Sequence, residues 1–278
     1  MSDFIIFMAA PAVACLIFSG VFTYFGCHVL KREIIFVDIA LAQLAALGVT
    51  LAETIGHSHG EAETLIFSLL AVLAGAGFFS YTRRWMHRIP QEAIIGIVYV
   101  VGASVALLVA SRSAHGAEHL RNILNGSILW VTWPWVGTLV IVVAGVAIPH
   151  WIYREQFGKL SNQYRKSDEE QTGSFLWDFL FYLTLGIIIV SAIETAGIFL
   201  IFAFLIVPAV VGTLFSNQLL LQWIIGGSVS AIISLSGLVL SFNLDLPTGA
   251  TLVCCFGLAF IVALLFSNKQ LTKQADQT

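Results

Sequence analysis

Apolar runs, each closed by a short polar stretch, recur along this chain from one end to the other. They predict helices over about 5–28, 34–55, 64–82, 91–111, 127–152, 175–194, 197–215, 219–241 and 248–267. About twenty apolar residues in helical form match the thickness of a hydrocarbon core, so each run is a candidate membrane span. The seventh run holds Gly197 and Pro208 and fits two descriptions: a full span, or a broken, re-entrant element packed in protein. The pattern therefore predicts eight or nine crossings. The longest polar stretch, Arg154–Gly173, is too short to house a soluble domain, so residues 1–278 are expected to form a single transmembrane domain.

Basic residues give the spans a direction. Lys31 and Arg32 follow the first run; Arg83, Arg84 and Arg88 follow the third; Arg154, Lys159, Arg165 and Lys166 follow the fifth; Lys269 and Lys273 follow the last. Cytoplasmic connections are enriched in such residues, so nine crossings place the N-terminus outside and the C-terminus inside. Arg112 and Arg121 fall on the outer side as exceptions to a statistical rule.

Composition agrees. The chain is 58% hydrophobic and 10% charged, with a mean hydropathy of +0.92. A soluble domain carries about a quarter charged residues. Net charge is −3 and the sequence pI is near 6.1, which gives no basic footprint for nucleic acid. Met-Ser-Asp leads straight into the first run without the basic region of a signal peptide, so that run is expected to be a retained span. Cys15, Cys27, Cys254 and Cys255 sit in apolar runs without C-x-x-C spacing and read as small apolar filler.

Against this background the polar residues stand out. An ionised carboxylate in hydrocarbon costs about 3 kcal/mol or more. Asp38, Glu194 and Asp245 lie in or at the edge of apolar runs. Asp38, about one turn into the second run, fits either the start of a helix, whose dipole favours an acid, or a wet pathway. Gln43 lies five residues on, offset by about 140° if helical. Glu194 fits a helix end as well as a pathway. Asp245, in "NLDLPTG", reads as a turn that initiates the last helix.

The two loops expected outside carry His57, His59, Glu61 and Glu63 in "GHSHGEAE", and His115, Glu118 and His119 in "HGAEH". Imidazole with carboxylate suits zinc and similar divalent ions, and a plain solvated loop is the alternative. "HGAEH" formally matches the H-x-x-E-H protease motif, but Gly116 and a short extramembrane setting deny it the stable helix that such an enzyme needs. "FGKLS" contains Gly-Lys, yet Tyr153 stands where a P-loop needs its first glycine and Leu160 where it needs Ser or Thr. No nucleotide site is expected, and any use of ATP must come through a partner.

Three stretches occur in an order that carries a resemblance: "FVDIALAQLAALG" from Phe36, "GIFLIFAFLIVPAVVG" from Gly197, and "LDLPTGATLV" from Leu244. Together they resemble the membrane permease subunit of the zinc, manganese and iron ABC importers. That resemblance implies an all-α polytopic permease that pairs with a second copy in the inner membrane. It implies cytoplasmic ATPase subunits docked on inner loops and an extracytoplasmic metal-binding protein that delivers the ion. The chain is then a transport subunit rather than an enzyme, with no stably bound cofactor, and its cargo is a divalent metal, zinc first and manganese or iron(II) as alternatives. The polar segment 154–173 becomes the loop coupled to the ATPase, with Gln156, Gly158, Ser161 and Gln163 as candidate contacts.

One departure matters. The family's early span has Asp and His four apart as metal contacts. Aligned on Gly48, this chain has Gln43 in the histidine position and Ile39 in the aspartate position, with Asp38 one residue early. The candidate metal contacts are Asp38, Gln43 and the His/Glu loops. A stand-alone secondary cation transporter, a metalloprotease built on the second loop, and a non-metal importer of the same type are the rival readings.

Overall fold

The computed structural model describes residues 2–57, 62–85, 88–111, 124–163 and 175–275. The described residues form α1 (Ser2–Arg32), α2 (Val37–Thr54), α3 (Ala62–Thr82) and α4 (Gln91–Ala110). After these come α5 (Trp133–Ile152), α6 (Arg154–Gln163), α7 (Phe175–Ala196), α8 (Ile198–Phe215), α9 (Leu219–Asn243) and α10 (Thr248–Ala275). Short 3-10 turns lie at Arg83–Trp85 and Ile128–Trp130. No strand occurs among the described residues. Nine of these helices are long and apolar enough to cross a membrane. α6 is the exception, with ten residues and a mostly polar composition.

Two boundaries differ from the sequence pattern. The fifth run does not start as a helix at 127: the 3-10 turn Ile128–Trp130 comes first, and α5 begins at Trp133. Pro134 suits that start, because the first N–H groups of a helix have no intrahelical partner to lose. The seventh run, α8, is one 18-residue helix that continues through Pro208. Proline is tolerated inside a span when neighbouring helices accommodate the freed backbone groups. Here Gly226 of α9 lies against the Pro208 carbonyl, and a Cβ at 226 would stand 2.8 Å from the Pro208 carbonyl carbon.

The chain divides into two compact units. One comprises residues 1–30, 127–137 and 199–278. Its core holds Phe18, Phe22, Phe204, Leu205, Leu252 and Phe256. Phe18 meets Phe204 at 5.8 Å between ring centroids, and Phe204 meets Phe256 at 4.9 Å. Ser230 of α9 donates to the hydroxyl of Ser19 of α1 at 3.0 Å, so one of the few polar pairs in this core is satisfied across helices.

The other unit comprises residues 31–126 and 138–198. α2 lies at its centre, packed against α3, α4 and α7. Twelve of the eighteen residues of α2 are buried, spread over its whole circumference. Phe79 of α3 and Tyr182 of α7 meet at 5.6 Å nearby. α7 ends at Ala196 and α8 starts at Ile198, so a single residue turns the chain. That residue, Gly197, has φ +76, and Gly126 opposite has φ +64. The two backbones approach so closely that a Cβ at 197 would lie 2.5 Å from the backbone of Asn125 and Gly126. Only glycine satisfies both demands.

Candidate functional site

α2 carries Asp38 and Gln43 on a helix packed against α3, α4 and α7, and both side chains are buried. The carboxylate thus faces protein rather than lipid, at 1% exposure. Asp38 is in the first turn of α2. The N–H groups of Asp38 and Ile39 supply the favourable field there, and Glu92 supplies an opposing one. Neither carboxylate oxygen has a hydrogen-bond partner among the described residues. Buried polar atoms are nearly always paired, and a buried charge more strictly so. An unpaired buried carboxylate has room for one kind of partner above all, a cation or a proton.

Glu92 belongs to the same corner. It sits in the first turn of α4, and its Oε1 accepts the N–H of Phe36 at 3.1 Å. Phe36 caps α2 without a side-chain oxygen of its own, so α4 supplies the cap. The other oxygen, Oε2, is buried and has no partner among the described residues. Asp38 and Glu92 therefore bring three unpartnered oxygens to one end of this unit. Gln43, also buried, lies about 7.5 Å further along α2. α4 passes it at Gly102, where a Cβ would stand 3.8 Å from the Gln43 Cβ.

A second polar group occupies the same unit. Asp178, in the first turn of α7 and 0% exposed, pairs with two arginines. Arg32 Nη1, from the last turn of α1, reaches Oδ1 at 3.0 Å, and Arg83 Nη1 bonds Oδ2. The Arg32 guanidinium also lies 3.8 Å from the Phe181 ring centroid. Arg32 Nε donates to Ser161 Oγ at 3.1 Å, which brings in α6. α6 lies against this unit through Phe157, Leu160 and Ser161, and exposes Glu155, Gln156 and Lys159. Phe157 stacks on His150 of α5 at 4.1 Å, and His150 Nε2 pairs with Thr184 Oγ1 at 2.9 Å.

The sequence-derived candidates are thus divided. Asp38 and Gln43 share one buried helix. Of the coupling candidates, Gln156 is exposed, Gly158 half-buried and Ser161 buried, and the side chain of Gln163 lies outside what is described. Of the outer loops, His57 is half-buried after α2 and Glu63 is exposed in the first turn of α3. His59, Glu61, His115, Glu118 and His119 lie outside the described residues. Among the described residues no group of three or more His, Cys, Asp or Glu side chains is placed to hold a metal ion. Glu194 is exposed at the end of α7, and Asp245 lies exposed in the turn before α10 with φ +52. The four cysteines form no disulfide.

Sequence reasoning passed over Glu92 and Asp178. Both follow the same signal, an acid in the first turn of an apolar helix, that drew attention to Asp38. Arg32 and Arg83 served there only as markers of orientation.

Comparison with known proteins identifies the family of the chain. The model of the ABC 3 transport family matches residues 5–267. A manganese transport system membrane protein, MntC, of Listeria monocytogenes is 28% identical over 260 residues, 91% of this chain and 87% of that protein. A probable iron transport system membrane protein of Haemophilus influenzae is 24% identical over 182 residues, 66% of this chain and 64% of that protein. Among solved structures, PsaBC from Streptococcus pneumoniae in complex with Fab superposes with a TM-score of 0.74 at 20% identity, covering 92% of this chain and 90% of that one. This chain belongs to the ABC 3 transport family and is a multi-pass membrane protein.

Proposed function

We propose, with membership of the ABC 3 transport family as the premise, that this chain is the permease subunit of an ATP-driven importer of a divalent metal ion, manganese. The observation that carries the reading is Asp38, a carboxylate buried in helix α2 with both oxygens unpartnered among the described residues. A passing cation that takes the place of the carboxyl proton gains an oxygen ligand there, and a site meant for passage must also release.

The donor chemistry supports manganese. With Gln43 in place of a histidine, the polar groups that α2 offers are oxygen-rich: the Asp38 carboxylate and an amide. Carboxylate, carbonyl and water suit manganese, whereas zinc gains most from imidazole and thiolate. Relatives named for manganese transport favour the same metal. Zinc, the metal first expected from the histidines of the outer loops, would draw its ligands there.

The remaining parts follow from the importer reading. A second copy of the chain pairs in the membrane. ATP is hydrolysed by separate cytoplasmic subunits, for which the exposed face of α6, with Glu155, Gln156 and Lys159, is the docking surface. An extracytoplasmic binding protein delivers the ion to the outer loops.

The test is metal uptake into proteoliposomes holding the permease with its ATPase, supplied with the binding protein. Manganese, zinc and iron(II) are run in parallel, with and without ATP. ATP-dependent manganese uptake, lost in Asp38→Asn while the complex still assembles, is the expected result. Uptake by the permease alone would instead identify a secondary transporter. Preference for zinc, or undiminished uptake by Asp38→Asn, would move the metal contacts to the outer loops.

A further inference from the structure

One arginine of the buried pair around Asp178 also holds α6. α6 is too short and too polar to span, and it rests on its unit through Leu160, through ring contacts and through Ser161. Phe157 stacks on His150 and meets Trp177 edge-on at 5.7 Å. Stacked rings are held mainly by area and slide at small cost. Ser161 is different: it is 1% exposed, donates to the Phe157 carbonyl at 2.9 Å, and accepts the Arg32 Nε–H at 3.1 Å. Hydrogen bonds to a guanidinium are directional and strengthen in a dry setting.

Arg32 cannot move alone. Its Nη1 is held by Asp178, and Asp178 is held by Arg83. Arg32 is also the last residue of α1, and only Glu33, Ile34, Ile35 and Phe36 separate it from α2. Glu33 has φ +55, so this link is a tight turn rather than a slack tether. At its far end the Phe36 N–H is held by Glu92, beside Asp38. One hydrogen bond and a tight stretch of chain therefore lead from α6 to the first turn of α2, all within one compact unit: Ser161, Arg32, the turn, Phe36 held by Glu92, and Asp38 two residues on.

We propose that the Ser161–Arg32 hydrogen bond is the mechanical link by which movement of α6 reaches the Asp38 end of α2, so that Ser161 is a positioning residue for ATP-coupled transport. The inference deepens the importer reading and rests on it. In this role Ser161 acts on the inner side of α6, while the outer side meets the ATPase. Pushing α6 displaces Arg32, and with it the turn that sets the position of Asp38.

The experiment measures ATP hydrolysis and manganese uptake on the same proteoliposomes, with the permease, its ATPase and the binding protein present. Ser161→Ala removes the acceptor of Arg32 Nε and leaves the ring contacts of α6 intact. Ser161→Thr keeps the hydroxyl. Ser161→Ala is expected to keep ATP hydrolysis within about twofold of wild type while uptake falls about tenfold, so that the ATP used per ion rises about fivefold or more. Ser161→Thr is expected to restore the wild-type ratio. Arg32→Lys, which keeps the charge but loses the Nε–H, gives a second route to the same split should Ser161→Ala fail to fold. A wild-type ratio in both Ser161→Ala and Arg32→Lys, or a proportional loss of hydrolysis and uptake, would overturn the link. A wild type that hydrolyses ATP but moves no metal would overturn the importer reading first, a result plainly distinct from the others.

Discussion

Glu92 accepts the N–H of Phe36 at 3.1 Å, so the first turn of one helix caps the start of another. The two residues are 56 positions apart, and Phe36 has no side-chain oxygen with which to cap α2 itself. Losing a helix cap costs about 0.5–2 kcal/mol. Glu92→Ala is expected to lower unfolding free energy in detergent by about 1 kcal/mol. Glu92→Gln, which keeps a carbonyl acceptor, should lose less than half of that. Tryptophan fluorescence against denaturant reads both, and equal loss in the two variants would remove the capping role.

Asp178 is the anion that two buried arginines share, so its removal weakens both pairs at once. Breaking a buried ion pair from one side costs about 3–5 kcal/mol. Asp178→Asn is expected to show a loss of that order, seen as a lower yield of monodisperse protein and a lower Tm. The triple variant Arg32→Met, Arg83→Met, Asp178→Leu should recover part of it, because apolar groups of similar volume incur no desolvation. A triple variant less stable than Asp178→Asn would show that the charges contribute net stability.

Gly197 meets two constraints at once, a left-handed backbone and contact with the backbone at Asn125 and Gly126. Gly197→Ala is expected to destabilise by more than the roughly 1 kcal/mol typical of a left-handed residue alone, because the methyl group has no space. Size-exclusion profiles and Tm of the purified variant report this. A wild-type Tm would mean that the two segments separate readily.

Gln43 lies where α4 presents Gly102, a side-chain-free surface. Gln43→His adds one nitrogen donor on the helix that carries Asp38. The expected outcome is a shift of the zinc-to-manganese uptake ratio by about tenfold toward zinc, equivalent to about 1.4 kcal/mol. Competition uptake with both metals measures it. An unchanged ratio would place residue 43 off the route.

The sequence by itself determined eight of the spans, left the seventh run open, and marked the polar break that became α6. The reason is local: a bilayer requires about twenty apolar residues whose backbone groups are satisfied within the segment, and both conditions are written in consecutive positions. It also singled out Asp38, because a lone acid in an apolar run stands out wherever it points. The sequence did not reveal that α8 runs unbroken through Pro208, since whether a proline breaks a span depends on the helices packed around it.

Only the tertiary structure decided which polar groups meet. Arg32 and Asp178 are 146 positions apart, and Arg83 and Asp178 are 95 apart. Helices this uniformly apolar carry no stripe to fix their rotation, so which face of α1, α2 or α7 turns toward a neighbour is settled by packing rather than by pattern. α6 is the exception: Phe157 and Leu160 turn one face of a polar helix inward, and Ser161 goes with them to Arg32 while Gln156 stays outside.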